Sequence, residues 1–443
     1  MTATIGAVDT AQRQRAWERE ATFVLITPMN TKMSRLKVVP THPFNFSRRH
    51  RFSMIADRWT RGCKGWPMRV LMISKACVTA SYRSKIAYLA DVEDLDIGLV
   101  VPDHWANLSF EPDVSDDRYP IYRRAIPFNG RNHFHWYPGL GDIIRTFRPD
   151  LLHVDEEHYS VVTGQGITLA KTLGVPSIFF TWQNIYKRYP WPFSAIEQRV
   201  FRGSAGAIAG NQEALEVLRQ KGFQKPAVVI PQFGTDLSLF GPKEKPRIKA
   251  EWEIGEATTV GYVGRLIEDK GLDELMEAMS PLLRQDRDLG LLFVGSGPYE
   301  TLIERWMRTQ GVEQQVHLIP WVASEAMPDV MNLIDILVLP SRTTPRWKEQ
   351  FGRVLTEAMA CGDIVIGSNS GEIPHVIGEA GLVFPERDAE ALKRAIIRVV
   401  ENSDLQRTLR NRGFERVAAH FTQKAVADKT YQFYRQILED VQR

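Results

Sequence analysis

The sequence contains little cysteine and no long apolar run. Its 443 residues include three cysteines, Cys63, Cys77 and Cys361, an odd number without the close spacing of a zinc site. A disulfide framework is therefore excluded, and we expect free thiols in a reducing cytoplasm. No stretch approaches the ~18 consecutive apolar residues of a membrane span. The first residues also lack the basic-then-apolar order of a secretory signal, so we expect a cytoplasmic protein.

The chain also lacks a large excess of either charge. Lys and Arg number 56 against 53 Asp and Glu, and a net charge of +3 is too small to indicate a nucleic-acid partner. The balance is uneven, because residues 1–66 hold twelve Lys or Arg and only four Asp or Glu. This segment shows no sustained helix or strand period, so we predict a poorly ordered basic extension.

Two interpretations of this extension are open. It is either dispensable, even the product of an upstream start, since Met54 and Met68 follow, or a tether to the inner face of a membrane. A tether would bind anionic lipid headgroups with about 1 kcal/mol per basic residue near the surface. Deletion of residues 1–66 distinguishes the two, because only a tether changes membrane partitioning.

From Arg69 onward, short apolar runs without alternation recur, as in strands buried on both faces of a parallel sheet. A first series comprises Arg69–Ser74, Leu95–Val101, Leu151–Val154, Val175–Phe180, Ala205–Ala209 and Ala227–Ile230. A second series comprises Thr258–Val263, Leu289–Val294, Val316–Ile319, Ile334–Leu339, Ile364–Gly367 and Leu382–Phe384. Amphipathic helical segments separate most of these runs, which predicts doubly wound α/β domains.

The Pro-, Gly- and charge-rich segment 231–246 between the two series has the composition of an interdomain linker. We therefore predict one α/β domain over 67–235, a second over 236–422 and a terminal helix over 423–443. Two such domains leave a cleft at the carboxyl ends of their strands, where a ligand is expected.

The second domain opens with a glycine-bounded turn that carries two cations. Gly264-Arg265 follows the first strand, and Lys270-Gly271 precedes a helix. Glycine lets the backbone approach a ligand closely, and Arg and Lys supply the charge that a diphosphate requires. Two solvated cations beside an ordinary turn are the alternative. Gly295-Ser-Gly297-Pro298 ends the next strand, and there a tight turn into a helix is an adequate explanation.

A pair of acids flanks a later helix. Glu349 lies in the loop before Phe351-Gly352, and Glu357 lies on the second turn of a helix predicted from Arg353 to Cys361. Their separation is on the order of 10 Å, which suits two acceptors that hold the two ends of one extended ligand. The N–H groups around Gly352 could face the anionic middle of that ligand. Two solvated glutamates are the alternative.

Taken together, these residues resemble the retaining glycosyltransferases of family 4, which have the GT-B fold. The motifs 264–271, 295–298 and 349–357, and Gly371-Glu-Ile-Pro374 after them, occur in the family's order and spacing. The resemblance covers about residues 68–441. It implies two Rossmann-like domains facing across a cleft, the first for the acceptor and the second for the nucleotide sugar, with the final helix crossing back to the first domain.

The resemblance also implies roles. Arg265 and Lys270 would hold the donor diphosphate, and Glu357 would accept from the ribose hydroxyls. Glu349 would accept from the transferred sugar. The donor-binding set implied by the motifs is Gly264, Gly295, Gly297, Phe351, Gly352 and Glu357.

The family transfers a hexose from a nucleotide sugar to a glycan or lipid-linked acceptor with retention, without a metal or other cofactor. A nucleotide-sugar epimerase of similar fold and a non-catalytic binding subunit are the alternatives. The base, the sugar and the acceptor stay open.

The first domain departs from the family pattern. Many members have a glycine-rich loop after the first strand, but residues 74–85 contain no glycine, so the cations Lys75, Arg83 and Lys85 are candidates to replace it. At the position of a family histidine stands Asp155, followed by Glu156, and an acid there could accept a hydroxyl hydrogen bond or act as a base. Helix capping is the alternative for this acid pair.

Two aromatic segments flank these acids. They span residues 134–137 and 179–186, and the second includes Trp182 and Asn184 as acceptor candidates. Aromatic faces suit sugar rings or an isoprenoid chain, whereas core packing is the default. His133 and His135 alternate with Phe134, but nothing in the pattern supplies a third metal ligand.

Overall fold

The computed structural model describes residues 67–255, 257–320 and 322–442. The predicted basic extension, with Cys63, lies outside the described residues. Cys77 and Cys361 are both buried free thiols, as expected.

The first half of the described chain forms a parallel sheet whose strand order reverses beside its first strand. The strands are β1 (Met68–Ile73), β2 (Leu95–Pro102), β5 (Ile121–Arg124), β6 (Leu151–Val154), β7 (Ser177–Thr181), β8 (Gly206–Ala209) and β9 (Ala227–Val229). They are arranged in the order β5-β2-β1-β6-β7-β8-β9. Val70 of β1 aligns with Ile97 of β2 and Leu151 of β6, which fixes the register of the central strands.

Each strand predicted for this domain is present, but the sequence did not indicate β5. This strand lies at the edge of the sheet and carries two arginines, so its composition lacks the apolar run of a buried strand. A short hairpin, β3 (His104–Trp105) with β4 (Leu108–Ser109), was also missed.

Helices connect these strands and cover both faces of the sheet. They are α1 (Ser84–Ala90), α2 (Leu140–Phe147), α3 (Val161–Leu173), α4 (Phe193–Gly203) and α5 (Gln212–Gln220). The side chains of Ser160 and Asn211 accept backbone N–H groups at the starts of α3 and α5, where the first helical donors lack internal partners.

The second half repeats the arrangement. Its parallel sheet comprises β10 (Thr258–Val263), β11 (Leu289–Val294), β12 (Val316–Ile319), β13 (Ile336–Leu339), β14 (Ile364–Ser368) and β15 (Gly381–Phe384). The order is β12-β11-β10-β13-β14-β15, so the direction again reverses beside the first strand of the domain. The helices are α6 (Lys245–Glu251), α7 (Leu272–Gln285), α8 (Glu300–Gln310), α9 (Met327–Asn332), α10 (Arg353–Ala360), α11 (Ile373–Ile377), α12 (Ala389–Val400) and α13 (Ser403–His420).

The terminal helix, α14 (Gln423–Gln442), packs on the first domain although it follows the second along the chain. Phe433, Tyr434 and Ile437 are buried in the same apolar cluster as Met72 of β1 and Ile208 of β8. The predicted architecture, two doubly wound sheets with a crossing terminal helix, is confirmed. Within the described part of the chain, none of the helices combines the length and apolarity that crossing a membrane requires.

Candidate functional site

The two points where strand order reverses define where a ligand is expected, at the carboxyl ends of the neighbouring strands. In the first domain these ends carry Lys75 after β1 and Asp155 after β6. In the second domain they carry Arg265 after β10 and Ser341 after β13. The two domains therefore present different chemistry at equivalent positions.

A cavity of about 430 Å³ lies between the domains at this level. Its lining combines first-domain and linker residues with the second-domain motifs. The predicted residues that line it are Gly264, Arg265, Lys270, Glu349, Gly352 and Glu357. A larger cavity of about 950 Å³ beside residues 242–247 contains none of the predicted site residues.

Lys270 and Glu349 form an ion pair at the wall of the cavity. The Lys270 Nζ lies 2.6 Å from Glu349 Oε2 and 4.5 Å from the centre of the Trp347 ring, and Ser341 Oγ donates to the same carboxylate oxygen at 3.0 Å. Gly271 makes this approach feasible, because a Cβ there would lie 1.9 Å from the Pro340 carbonyl oxygen. The loops after β10 and β13 thus bring residues 79 positions apart into contact.

Glu357 is paired with a residue that the sequence analysis missed. Arg353, at the first position of α10, places its Nε 3.0 Å from Glu357 Oε1 and donates to the Tyr82 hydroxyl of the first domain at 3.1 Å. Burial raises the pKa of the Glu357 carboxyl, and Arg353 opposes that rise. The Arg353–Tyr82 contact therefore joins the two sides of the cleft. On its own side, the Tyr82 ring stacks on Phe233 with the ring centres 4.3 Å apart.

Arg265 is exposed at the mouth of the cavity. Among the residues that the structure describes, no acid lies within ion-pair distance of its guanidinium, which makes Arg265 an available cation. Gly295 and Gly297 lie behind this turn. A Cβ on Gly295 would meet the Gly264 oxygen at 1.9 Å, and one on Gly297 would meet the Leu266 oxygen at 2.3 Å. These two glycines permit the loops to pack together, and they are not part of the cavity lining.

The acids of the first domain are engaged internally. Asp155 is 2% exposed and accepts from Ser74 Oγ at 2.8 Å and from Gln232 Nε2 at 3.0 Å. Burial raises the pKa of the Asp155 carboxyl. The hydroxyl of Ser160, rather than Asp155 or Glu156, caps α3, so the capping alternative is wrong.

Glu156 forms the second internal pair. Its carboxylate is fully buried, accepts the backbone N–H of Lys75 at 3.0 Å and forms an ion pair with the Lys75 ammonium. Although burial opposes it, Lys75 and the nearby His135 lower the pKa of Glu156 to about 2. Lys75 is therefore already neutralised by Glu156, and its side chain also lies over the Trp105 ring.

Trp182, Asn184 and Phe351 lie where the first domain meets the loop that carries Glu349. Asn184 Nδ2 donates to the Glu349 carbonyl oxygen at 3.4 Å, and Gln350 Nε2 donates to the Trp182 carbonyl oxygen at 3.0 Å. The Phe351 ring packs 6.1 Å from the Trp182 ring rather than in the cavity. These residues hold the two domains together at residues 349–351.

Comparison with known families agrees with this arrangement. The model described as "Glycosyl transferases group 1" matches residues 244–416, and the model described as "Glycosyl transferase 4-like domain" matches residues 65–232. Together they span most of the chain. The chain belongs to the family 4-like, group 1 glycosyltransferases.

Individual relatives of this glycosyltransferase chain are more distant. It is 30% identical over 202 residues to a GDP-mannose-dependent alpha-(1-6)-phosphatidylinositol monomannoside mannosyltransferase of Mycolicibacterium smegmatis, which covers 45% of this chain and 50% of the relative. It is 24% identical over 248 residues to the alpha-D-kanosaminyltransferase of Streptomyces kanamyceticus, covering 54% and 63%. The chain thus spans about half the length of the first curated relatives it matches.

Solved structures share the fold over a longer span. A glycosyltransferase from Rickettsia africae superposes with a TM-score of 0.66 at 17% identity, covering 84% of this chain and 99% of that one. HepE of Anabaena, crystallised with UDP, superposes with a TM-score of 0.65 at 16% identity, covering 83% and 100%. The fold is GT-B.

Two of the cations suggested as substitutes for a glycine-rich loop are not placed for that role. Arg83 is fully buried and forms an ion pair with Asp116 at 2.8 Å. Lys85 is 3% exposed and donates to the Gln232 carbonyl oxygen at 2.8 Å. The predictions for Arg83 and Lys85 are wrong, because both side chains face the interior rather than the cleft.

Within residues 67–442, leaving out the two undescribed positions, no three His, Cys, Asp or Glu side chains cluster as metal ligands. His135 is fully buried, and neither ring nitrogen has a hydrogen-bond partner there. Its nearest acid is Glu156, 3.7 Å away.

Proposed function

We propose that the protein transfers a hexose from a nucleotide sugar to a glycan or lipid-linked acceptor, with retention of the anomeric configuration and without a metal ion. The observation that supports this most directly is the interdomain cavity. It places two cations, Arg265 and Lys270, and two acids, Glu349 and Glu357, around one volume of about 430 Å³.

The cations suit the donor diphosphate. Arg265 has no acid partner in the described structure. Its guanidinium can donate two parallel N–H···O hydrogen bonds to a phosphate. Lys270 donates to Glu349 and still has further N–H groups to donate. Their charge would stabilise the diphosphate as the bond to the sugar breaks, which is where negative charge develops in the reaction.

The acids suit the two ends of the donor. Glu349 Oε2 already accepts from Lys270 and Ser341, so Oε1 can accept from a hydroxyl of the transferred sugar. Glu357 Oε1 is held by Arg353, which leaves Oε2 for a ribose hydroxyl. In the retaining reaction, a donor phosphate oxygen would take the proton of the acceptor hydroxyl while that hydroxyl oxygen bonds to the sugar carbon from which the diphosphate departs.

The relatives support the substrate classes without fixing them. One is named for GDP-mannose and a phosphatidylinositol mannoside, another for kanosaminyl transfer, and a structural neighbour was crystallised with UDP. We therefore place the donor among nucleoside diphosphate sugars and the acceptor among glycans and glycolipids.

The first experiment is a thermal-shift comparison of UDP, GDP and ADP, since a ligand at 100 Kd should stabilise the fold by about 2.7 kcal/mol. The preferred base then selects the donors for an acceptor screen, with NMR analysis of the product anomer. We expect transfer that persists in EDTA and gives the donor's anomeric configuration. Donor turnover without an acceptor would indicate an epimerase, and inversion or loss of activity in EDTA would contradict the mechanism.

A further inference from the structure

Two loops of the first domain carry an unusual number of exposed aromatic side chains. The aromatic patch consists of Phe128, Phe134 and Trp136 on one loop and Tyr186 and Trp191 on the other. Trp191 is 81% exposed and stands between two prolines. Soluble monomers rarely expose contiguous apolar patches without a function, whereas the aromatic segment 134–137 was predicted only as core or acceptor platform.

Ring contacts make the two loops one surface. Phe134 lies 5.3 Å from Phe193, measured between ring centres, and His133 lies 6.0 Å from the same ring. Behind them, His133 contacts Tyr159, and Tyr159 contacts Tyr189 at 4.2 Å. Phe134 is therefore packed against an aromatic cluster, and Tyr189 ties the second loop to the same cluster.

The charged side chains that these two loops carry are all basic. Residues 118–141 and 158–196 contain no aspartate or glutamate. Arg131, Lys187 and Arg188 are exposed within the two loops, and no acid of the described residues lies within ion-pair distance of them. The surface combines aromatic rings with unpaired cations.

That combination fits the headgroup region of a membrane. Tryptophan and tyrosine favour the boundary between hydrocarbon and water, and Lys and Arg beside them attract anionic lipid. Exposed rings beside cations, with no acid on either loop, match an anionic lipid surface more closely than the mixed charges of a protein surface. We propose that the aromatic patch, with Arg131, Lys187 and Arg188, docks the first domain onto an anionic bilayer.

The aromatic patch lies close to the cleft along the chain. Its second loop starts at the cleft, where Asn184 contacts the Glu349 backbone, and seven residues later reaches Trp191. That length of chain spans at most roughly 25 Å, so a docked bilayer would lie near the mouth of the cleft. Docking itself does not depend on transfer activity, so its test is separate from that of the proposed function.

The test is flotation of the full chain with vesicles of phosphatidylcholine mixed with phosphatidylglycerol, compared with phosphatidylcholine alone. We expect binding to the anionic vesicles, weakened about tenfold or more by Phe134→Ala with Trp191→Ala. Lys187→Gln with Arg188→Gln should weaken it by on the order of tenfold. Both pairs are exposed, so unfolding temperatures should stay at the wild-type value.

Matched controls lie on the second domain. Phe414 of α13 is 44% exposed, and Arg394 and Arg398 of α12 are exposed cations without an acid partner in the described structure. Phe414→Ala and the double change Arg394→Gln with Arg398→Gln should leave vesicle binding unchanged. Equal binding by wild type and patch variants would overturn the proposal. The proposal would also be overturned if the wild type did not bind vesicles but formed a dimer that Trp191→Ala dissociates. The patch would then be an interface between two copies of the chain.

Discussion

The two domains share one topology but use the point of strand reversal differently. In the first domain, the side chains at this point form buried pairs: Asp155 with Ser74 and Gln232, and Glu156 with Lys75. In the second domain, the corresponding loops are glycine-bounded and leave Arg265 exposed beside a cavity. The fold therefore supplies two equivalent crevices, and the side chains decide which one can admit a charged ligand.

The largest expected effect of a single change is at Lys270. Lys270→Ala removes a cation that would stabilise the departing diphosphate, so kcat should fall by roughly 10²–10³. Glu349→Gln should give a loss of similar order, because it removes the charge that pairs with Lys270 and that would accept from the sugar in the proposed mechanism. Steady-state kinetics on variants whose unfolding temperatures match the wild type provide the measurement.

Lys393→Ala is the matched control for Lys270, since Lys393 forms a surface pair with Glu390 on α12. It should leave kcat unchanged. Full turnover by Lys270→Ala would mean that this cation takes no part in the reaction. The proposed functional difference between the two domains would then be wrong.

The next effect concerns the packing of the second-domain loops. Gly295 has a φ of +140°, and a Cβ there would meet the Gly264 oxygen at 1.9 Å. Gly295→Ala should lower the free energy of unfolding by about 1–3 kcal/mol from backbone strain alone, with the clash in addition. Urea denaturation measures this. Gly241→Ala, at a glycine with no atom close to its Cβ position, should be nearly neutral. If the Gly295→Ala variant were as stable as the wild type and lost only donor affinity, the absence of a Cβ at this position would instead serve to let the donor approach the backbone.

A pH effect is expected at the junction between the domains. Glu372 accepts the Gln212 backbone N–H across that junction at 3.3 Å, and burial raises the pKa of its carboxyl from 4.5 to about 7, with His375 opposing. The folded protein therefore holds a proton that the unfolded chain releases, and this contribution to stability is lost as pH rises from 4.5 towards 7.

Glu372→Gln, which stays neutral, tests this sign. Its stability relative to wild type should increase by on the order of 1–3 kcal/mol between about pH 4.5 and about pH 8. Urea unfolding at the two pH values gives the difference. A constant or decreasing advantage of Gln would mean that Glu372 ionises in the fold without cost.

The smallest expected effect is in the first-domain crevice. Asp155→Asn should change the free energy of unfolding by about 1 kcal/mol or less, because burial already favours the neutral form of this carboxyl. An amide oxygen in the place of Oδ2 can also keep the contacts with Ser74 and Gln232. The transfer rate should fall far less than for Lys270→Ala. Steady-state kinetics of the two variants measure the difference, and an equal loss would mean that Asp155 takes part in the reaction.

Local sequence patterns predicted the sheets well and the buried charges poorly. Central parallel strands are contiguous apolar runs. The helix α10 ends at Ala360, one residue before the predicted end at Cys361. Arg83 instead took part in a pair with Asp116, 33 residues away, and the interior position of its charge has no signature in a helical pattern. The same holds for the hydrogen bond that Gln232 Nε2 donates to Asp155 across 77 residues.

One contact in the cleft was nevertheless predictable from the sequence. Arg353 and Glu357 are four residues apart on a predicted helix, the spacing at which side chains meet, so their pairing could have been anticipated. The Tyr82 contact could not, because it depends on how the first domain faces α10. The roles of Gly295 and Gly297 likewise required knowledge of which loops lie against each other.

The crossing of α14 has a consequence for biosynthesis. Phe433, Tyr434 and Ile437 complete an apolar cluster begun by β1, so a nascent chain that has only just finished β9 still exposes the surface those side chains cover. Domains generally fold in order as they leave the ribosome. This cluster in the first domain can be completed only once the second domain and α14 have been translated, so the full packing of the first domain depends on the synthesis of the domain that follows it.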